Sequence, residues 1–116
     1  MFSLNENNRF YLYTGKTDLR KGFNTLSGMV RNHSSLNPLD GTVYIFINGT
    51  RTTLKLLHWE RGGFVVYHKR LESGRISKVI FRTDALFRPL RWDELVLLLE
   101  GVNPNSKRRK RYNNTL

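Results

Sequence analysis

The sequence predicts an α+β fold: a small antiparallel β-meander sheet of about five strands, packed with two helices and followed by a disordered basic tail. Three observations carry that expectation. Runs of β-branched and aromatic residues of strand length recur between turn signals. Two stretches place apolar residues at helical spacing. Apolar content then almost vanishes from Asn103 onward. A chain of 116 residues is long enough for one hydrophobic core, so we expect a single α+β domain over residues 1–102 and a tail over 103–116.

Arg9 to Tyr13 has the composition of a first strand. Gly15 and Lys16 lead into a helix opened by Thr17 or Asp18 as N-cap. Leu19, Phe23, Leu26 and Val30 then form one narrow apolar stripe, with Arg20, Asn24, Ser27 and Arg31 on a neighbouring polar face. Gly22 costs such a helix about 1 kcal/mol relative to Ala, and close packing against a sheet is one reason to keep it. Asn37, Pro38, Asp40 and Gly41 punctuate a loop. Thr42 to Ile47 reads as the next strand, and Asn48-Gly49 is a type I′ hairpin signal. Strands over Arg51–Trp59, Phe64–Lys69 and Arg75–Phe81 complete the meander. A second helix over Arg91–Glu100 sets Trp92, Leu95, Val96 and Leu99 on one side, with Gly101 as its C′ residue and Pro104 beyond.

The segment from Lys55 to Arg75 holds two alternating runs around a Gly-Gly turn, with aromatics set among Lys, Arg and His. A turn at Arg61-Gly62 pairs Trp59 with Phe64; a turn at Gly62-Gly63 pairs Trp59 with Val66. Both registers put Lys55, Leu57, Trp59, Phe64, Val66 and His68 on one face, and Leu56, His58, Val65, Tyr67 and Lys69 on the other. Trp59, Phe64 and Leu57 read as core, while Lys55, Lys69, Arg70 and Arg75 reach solvent.

Twenty Lys and Arg against nine Asp and Glu give a net charge of +11. The tail residues Lys107, Arg108, Arg109, Lys110 and Arg111 supply five of these charges, and the stretch Arg51–Arg82 alone carries +6. Such a field attracts nucleic acid, acidic membrane or an acidic protein without choosing among them. There is no cysteine, which excludes disulfides and thiolate metal sites. No apolar run approaches the roughly 20 residues of a membrane span, and no signal peptide is visible; a cytoplasmic location without membrane contact is the expectation. His33, His58 and His68 lack metal-ligand spacing, and the scattered carboxylates offer no converging set for divalent cations. Asp18 reads as a helix cap, Asp40 as a turn residue, and Glu60 and Glu72 as partners of nearby cations. No cofactor motif and no catalytic residue is nominated.

Four segments together resemble a known family. They are Thr17-Asp18-Leu19-Arg20-Lys21-Gly22-Phe23, then Lys55-Leu56-Leu57-His58-Trp59-Glu60 leading into Gly63-Phe64, then Lys69-Arg70-Leu71-Glu72-Ser73-Gly74-Arg75, and last Leu98-Leu99-Glu100-Gly101. In order and spacing they are similar to the small accessory protein, TnpB type, of bacterial insertion sequences of family sixty-six, which is distinct from the RNA-guided nuclease sharing that name. The resemblance covers roughly residues 9 to 103. Glu60 stands where the family often has Asp, Ile76 where an aromatic is common, and Arg91-Trp92 where a Thr cap often opens the last helix. The resemblance implies a helper in DNA transposition, working beside a separate and much larger transposase, with no catalytic residues to carry over.

The functional expectation is therefore a non-catalytic accessory protein that binds DNA, at transposon ends or non-specifically. The nominated phosphate contacts are Arg20, Lys21, Lys55, Lys69, Arg70, Arg75 and the tail Lys107, Arg108, Arg109, Lys110 and Arg111. Transposase subunits of the same element are the expected protein partners. The competing expectation is an adaptor that docks the transposase without touching DNA, with Asp18, Arg20, Glu72 and Arg75 in structural or interfacial ion pairs. Single-stranded nucleic acid is a third possibility, because aromatics on a basic sheet suit it.

Overall fold

In the computed structural model, residues 4–20, 22–33 and 35–100 are described. The elements are β1 (Phe10–Tyr13), α1 (Phe23–Arg31), β2 (Val43–Ile47), β3 (Thr53–Glu60), β4 (Gly63–Arg70), a 3₁₀ turn (Lys78–Phe81), β5 (Phe87–Leu90) and α2 (Trp92–Glu100). One five-stranded sheet runs in the order β4-β3-β2-β1-β5. The α+β class, the strand number and the two helices are as the sequence predicts.

The sheet is mixed, and the meander extends only through β2, β3 and β4. β1 pairs with β2 in parallel, Phe10 opposite Val43 and Leu12 opposite Ile45. The connection from Tyr13 to Val43 passes through α1, and such a crossover allows the chain to re-enter the sheet in the same direction. β2 is thus a central strand with both faces covered, and all five of its residues are buried. Val43, Ile45 and Ile47 join Leu54, Leu56, Leu95 and Leu98 in the core on the α2 side. Tyr44 and Phe46 meet Leu57, Leu26 and Val30 on the α1 side.

Three elements differ from expectation. The first helix begins at Phe23 with Gly22 as N-cap, and no side chain caps it. Asp18 instead accepts the Arg20 backbone N–H at 3.0 Å, a local bond that competes with helix formation. Leu26 and Val30 are buried as expected, but Phe23 is half exposed. The stretch Arg75–Phe81 is not a strand: Ile76 is buried as a single anchor, and Ser77 then caps a 3₁₀ turn by accepting the Val79 N–H. The fifth strand is Phe87–Leu90, on the sheet edge beside β1. Pro89 lowers its strand signal, and an edge is where a sheet tolerates proline.

Both hairpins of the meander form. Arg61 and Gly62 have φ of 51° and 83°, so a two-residue turn with both centres left-handed closes β3–β4 and pairs Trp59 with Phe64. The faces are those expected, with Leu57, Phe64 and Val66 on the α1 side, and the rings of Trp59 and Phe64 meet edge-on at 5.0 Å. The β2–β3 loop is not the type I′ turn that Asn48-Gly49 suggests. Asn48 Oδ1 accepts the N–H groups of Thr52 and Thr53 at 2.9 and 3.1 Å, and the positive φ falls on Arg51 rather than Gly49.

At the start of α2, Glu94 accepts the Arg91 backbone N–H at 3.0 Å and the Arg88 guanidinium at 2.9 Å. This is the acidic half of a capping box. The Arg91 amide first, and then the Arg88 guanidinium, hold the Glu94 carboxyl below its usual range. Its contribution is therefore present above the unfolded glutamate pKa of about 4.3 and is lost as the pH falls through the lower folded value. Glu94→Gln is expected to cost about 1 kcal/mol at pH 7, with the gap to the parent narrowing at pH 3. Urea midpoints at the two pH values measure this, and a gap that stays constant contradicts the assignment.

Candidate nucleic-acid interface

Most carboxylates of the fold are already matched with a cation. Asp18 holds Arg20 at 2.8 Å, Asp40 faces Arg9 at 3.6 Å and Glu72 faces Arg70 at 3.8 Å. Glu94 pairs with Arg88 at 2.9 Å and Asp93 with Arg91 at 3.0 Å. Glu60 lies 3.6 Å from the ring of the buried His58. The expected roles of Glu72 in local pairing and of Asp40 in a turn hold, the latter through the Thr42 N–H it accepts at 2.9 Å, whereas Glu60 faces a histidine ring rather than a Lys or Arg.

The nominated cations separate into distinct environments. Arg20 is exposed, and its guanidinium forms a fork with the Asp18 carboxylate through Nε and Nη2. Arg70 is exposed at the end of β4, beside Glu72. Lys55 is half-buried in β3, opposite His68. Lys69 has a structural task, because its Nζ donates to the Leu99 carbonyl at 2.6 Å. That bond places a positive charge at the C-terminal end of α2, where the helix dipole favours it. Lys21 and the tail cations Lys107, Arg108, Arg109, Lys110 and Arg111 lie outside the described residues, as do Gly101 and Pro104.

Arg75 sits in a different setting. It lines a cleft of about 520 Å³ together with Lys16, Arg51 and Lys78. The cleft lies beyond the C-terminal ends of the parallel strands β1 and β2. Thr14, Gly15 and Lys16 follow β1, and Asn48 to Arg51 follow β2. The segment after β4 closes the third side. Its Ile76 N–H donates to the Arg51 carbonyl at 2.8 Å, and the Arg51 guanidinium returns a bond to the Ile76 carbonyl at 2.6 Å. The Thr17 N–H donates to the Ile47 carbonyl at 3.2 Å and ties the Lys16 loop to the end of β2. Gly49 lies against the Lys16 stem, with room for a Cβ only 3.5 Å from Cδ.

Lys16, Arg51 and Lys78 were not nominated from the sequence. No spacing rule joins three loops, yet Lys16 and Arg51 each follow closely on a strand end, and parallel strands bring such positions to one side of a sheet. Among the described residues no group of three or more histidines, aspartates or glutamates could hold a metal ion. Among the same residues no helix is long and apolar enough to cross a membrane.

Fold and surface together define a small basic α+β protein with a cleft lined by four cations at one end of a mixed sheet. The chain belongs to the IS66 Orf2-like protein family, whose model matches residues 8–109. Membership supports an accessory role in transposition, in agreement with the resemblance carried by the sequence motifs. The uncharacterized protein y4hO of Sinorhizobium fredii (strain NBRC 101917 / NGR234) is 36% identical over 75 residues, a match spanning 65% of this chain and 65% of that relative. The uncharacterized protein y4jC of the same organism is 26% identical over 102 residues, spanning 88% of this chain and 86% of y4jC. No solved structure matches.

Proposed function

We propose that the protein is a non-catalytic accessory factor of transposition that binds DNA electrostatically. The observation that carries this reading is unbalanced charge: the net charge is +11, and the carboxylates that could offset it are largely committed to adjacent cations. Family membership supplies the process, and the charge supplies the chemistry by which a helper would hold DNA. Contacts of this kind position a protein on the backbone without reading sequence.

Affinity for terminal-repeat duplex should fall linearly on a log-log plot against salt, losing roughly 10³-fold between about 50 and 200 mM if about six phosphates are engaged. Lys69→Met should leave that slope unchanged, because its ammonium serves the end of α2. Salt-insensitive or undetectable binding in a fluorescence anisotropy titration would overturn the proposal.

The adaptor reading has one observation in its favour. Arg20 and Arg70 are engaged by Asp18 and Glu72, as ion pairs of a protein-facing surface would be. Capture of purified transposase that survives nuclease and high salt is the result it requires.

A further inference from the structure

We infer that the cleft formed by Lys16, Arg51, Arg75 and Lys78 is a dedicated seat for the phosphodiester backbone of DNA, an assignment that rests on the DNA-binding reading above. Among the described residues four cations line it and no carboxylate does. This contrasts with the paired cations Arg9, Arg20, Arg70, Arg88 and Arg91 elsewhere on the fold. Among the described residues none of the four cleft cations forms an ion pair, so the four like charges are brought together without internal compensation. Repulsion among them disfavours that arrangement in the free protein, and a bound polyanion relieves it.

The geometry selects a backbone over a base. The cleft presents Thr14, Asn48 and Thr50 beside the cations, and among the described residues Phe81 is its one aromatic. A stacking platform for successive bases needs several exposed rings; phosphate recognition needs cations and polar donors held by rigid elements. Rigidity comes from the bonds that lock the three loops together, from Thr17 to Ile47 and from Ile76 to Arg51 and back.

Continuity selects a chain over a small anion. Arg51, Arg75 and Lys78 also line an adjoining groove of about 710 Å³, which passes Ser73, Gly74 and Ser77. The cations therefore stand along a track that continues from the cleft into this groove, where consecutive phosphates of one strand can lie. Among the described residues Glu72 is the single carboxylate on that track, and it lies 3.8 Å from Arg70.

The test compares two double variants that each remove two positive charges. Arg75→Gln/Lys78→Gln alters the cleft, whereas Arg31→Gln/Arg61→Asn alters exposed sites on α1 and on the far turn of the sheet. Asn at 61 keeps a residue that accepts the positive φ of that turn. Arg51 is left intact because it holds Ile76. Binding of a 20-mer duplex and of its single strand is measured across a salt series with the full chain.

The cleft variant is expected to bind at least tenfold more weakly at about 0.1 M salt. Its salt slope should fall by about 1.8 on duplex or about 1.4 on single strand, against less than half that change for the control. The strand form whose slope change reaches its own expected value is the one seated in the cleft. Should the cleft variant lose structure, backbone amide shifts of Gly15, Gly49 and Thr50 in the parent protein, on addition of the same oligonucleotides, report the site directly. Equal losses in the two variants, with those amides unmoved, overturn the cleft assignment while DNA binding stands. A parent protein that binds neither oligonucleotide overturns the DNA-binding reading itself.

Discussion

Phe46→Ala is expected to destabilise the fold by about 3–5 kcal/mol, whereas Phe23→Ala should change it by no more than about 0.5 kcal/mol. Both residues are phenylalanines that the sequence presents as members of apolar patterns. Phe46 lies on the central strand β2, fully buried, facing Leu26, Val30, Tyr44 and Leu57, with the Tyr13 ring at 5.8 Å. Removing it empties the space between α1 and the sheet, and its neighbours are themselves fixed in the sheet and helix, so collapse into the cavity is limited. Phe23 occupies the first position of α1 and is half exposed, so truncation there removes little buried area.

For a domain with a total stability of about 5–15 kcal/mol, the Phe46 change removes a large part of the whole. The thermal midpoint should drop by on the order of 15–25 °C. Chemical denaturation of the two variants beside the parent measures the difference. Similar costs for the two substitutions would mean that the helix begins near Thr17 and carries Phe23 inward, contrary to the observed geometry.

That pair also shows how far the sequence could be followed. Leu26 and Val30 were legible because helical spacing continues to hold once a helix is established. Phe23 was not, because the same spacing extends past the real boundary. Leu19 packs against the α1-side core as the stripe implied, but from outside the helix, which starts only after the Asp18–Arg20 bond and the extended Gly22. The β3–β4 hairpin was legible in its faces, since its period of two is preserved by either turn, and the left-handed Arg61 and Gly62 settle the register. The parallel pairing of β1 and β2 could have been inferred from the connection between them, which contains a helix and is long enough for a crossover. β5 was hidden by Pro89, and the segment around Ile76 imitates a strand in composition while using one buried side chain as an anchor.

The cleft was legible only in Arg75. Its other cations sit in loops separated by tens of residues, and topology rather than local pattern brings them together. Conversely, Lys69 carries the right charge in the right motif and serves the last helix instead. Charge type was therefore readable from the chain, but which cations remain available to a ligand depended on where each carboxylate came to rest.

Removal of Asn103–Leu116 is expected to leave stability within about 0.5 kcal/mol of the parent while lowering the salt slope for duplex DNA by up to about 4.5, the effect of five lost phosphate contacts. The first part follows from the packing, because α2 is anchored to the core by Leu95 and Leu98 and its end is held by Lys69. The second part follows from composition, because Lys107, Arg108, Arg109, Lys110 and Arg111 form an unbroken run of cations. The tail and the cleft should also differ in kind. Five adjacent charges add affinity in any orientation, whereas a cleft fixed by three loops holds the backbone in one direction relative to the sheet. Truncation should therefore weaken binding more than the Arg75/Lys78 double variant does, yet leave amide shifts around Gly15, Gly49 and Thr50 on saturation with DNA. An unchanged slope after truncation would remove the tail from the DNA-binding reading; a slope abolished by truncation would assign all phosphate contact to the tail and leave the cleft without a role in it.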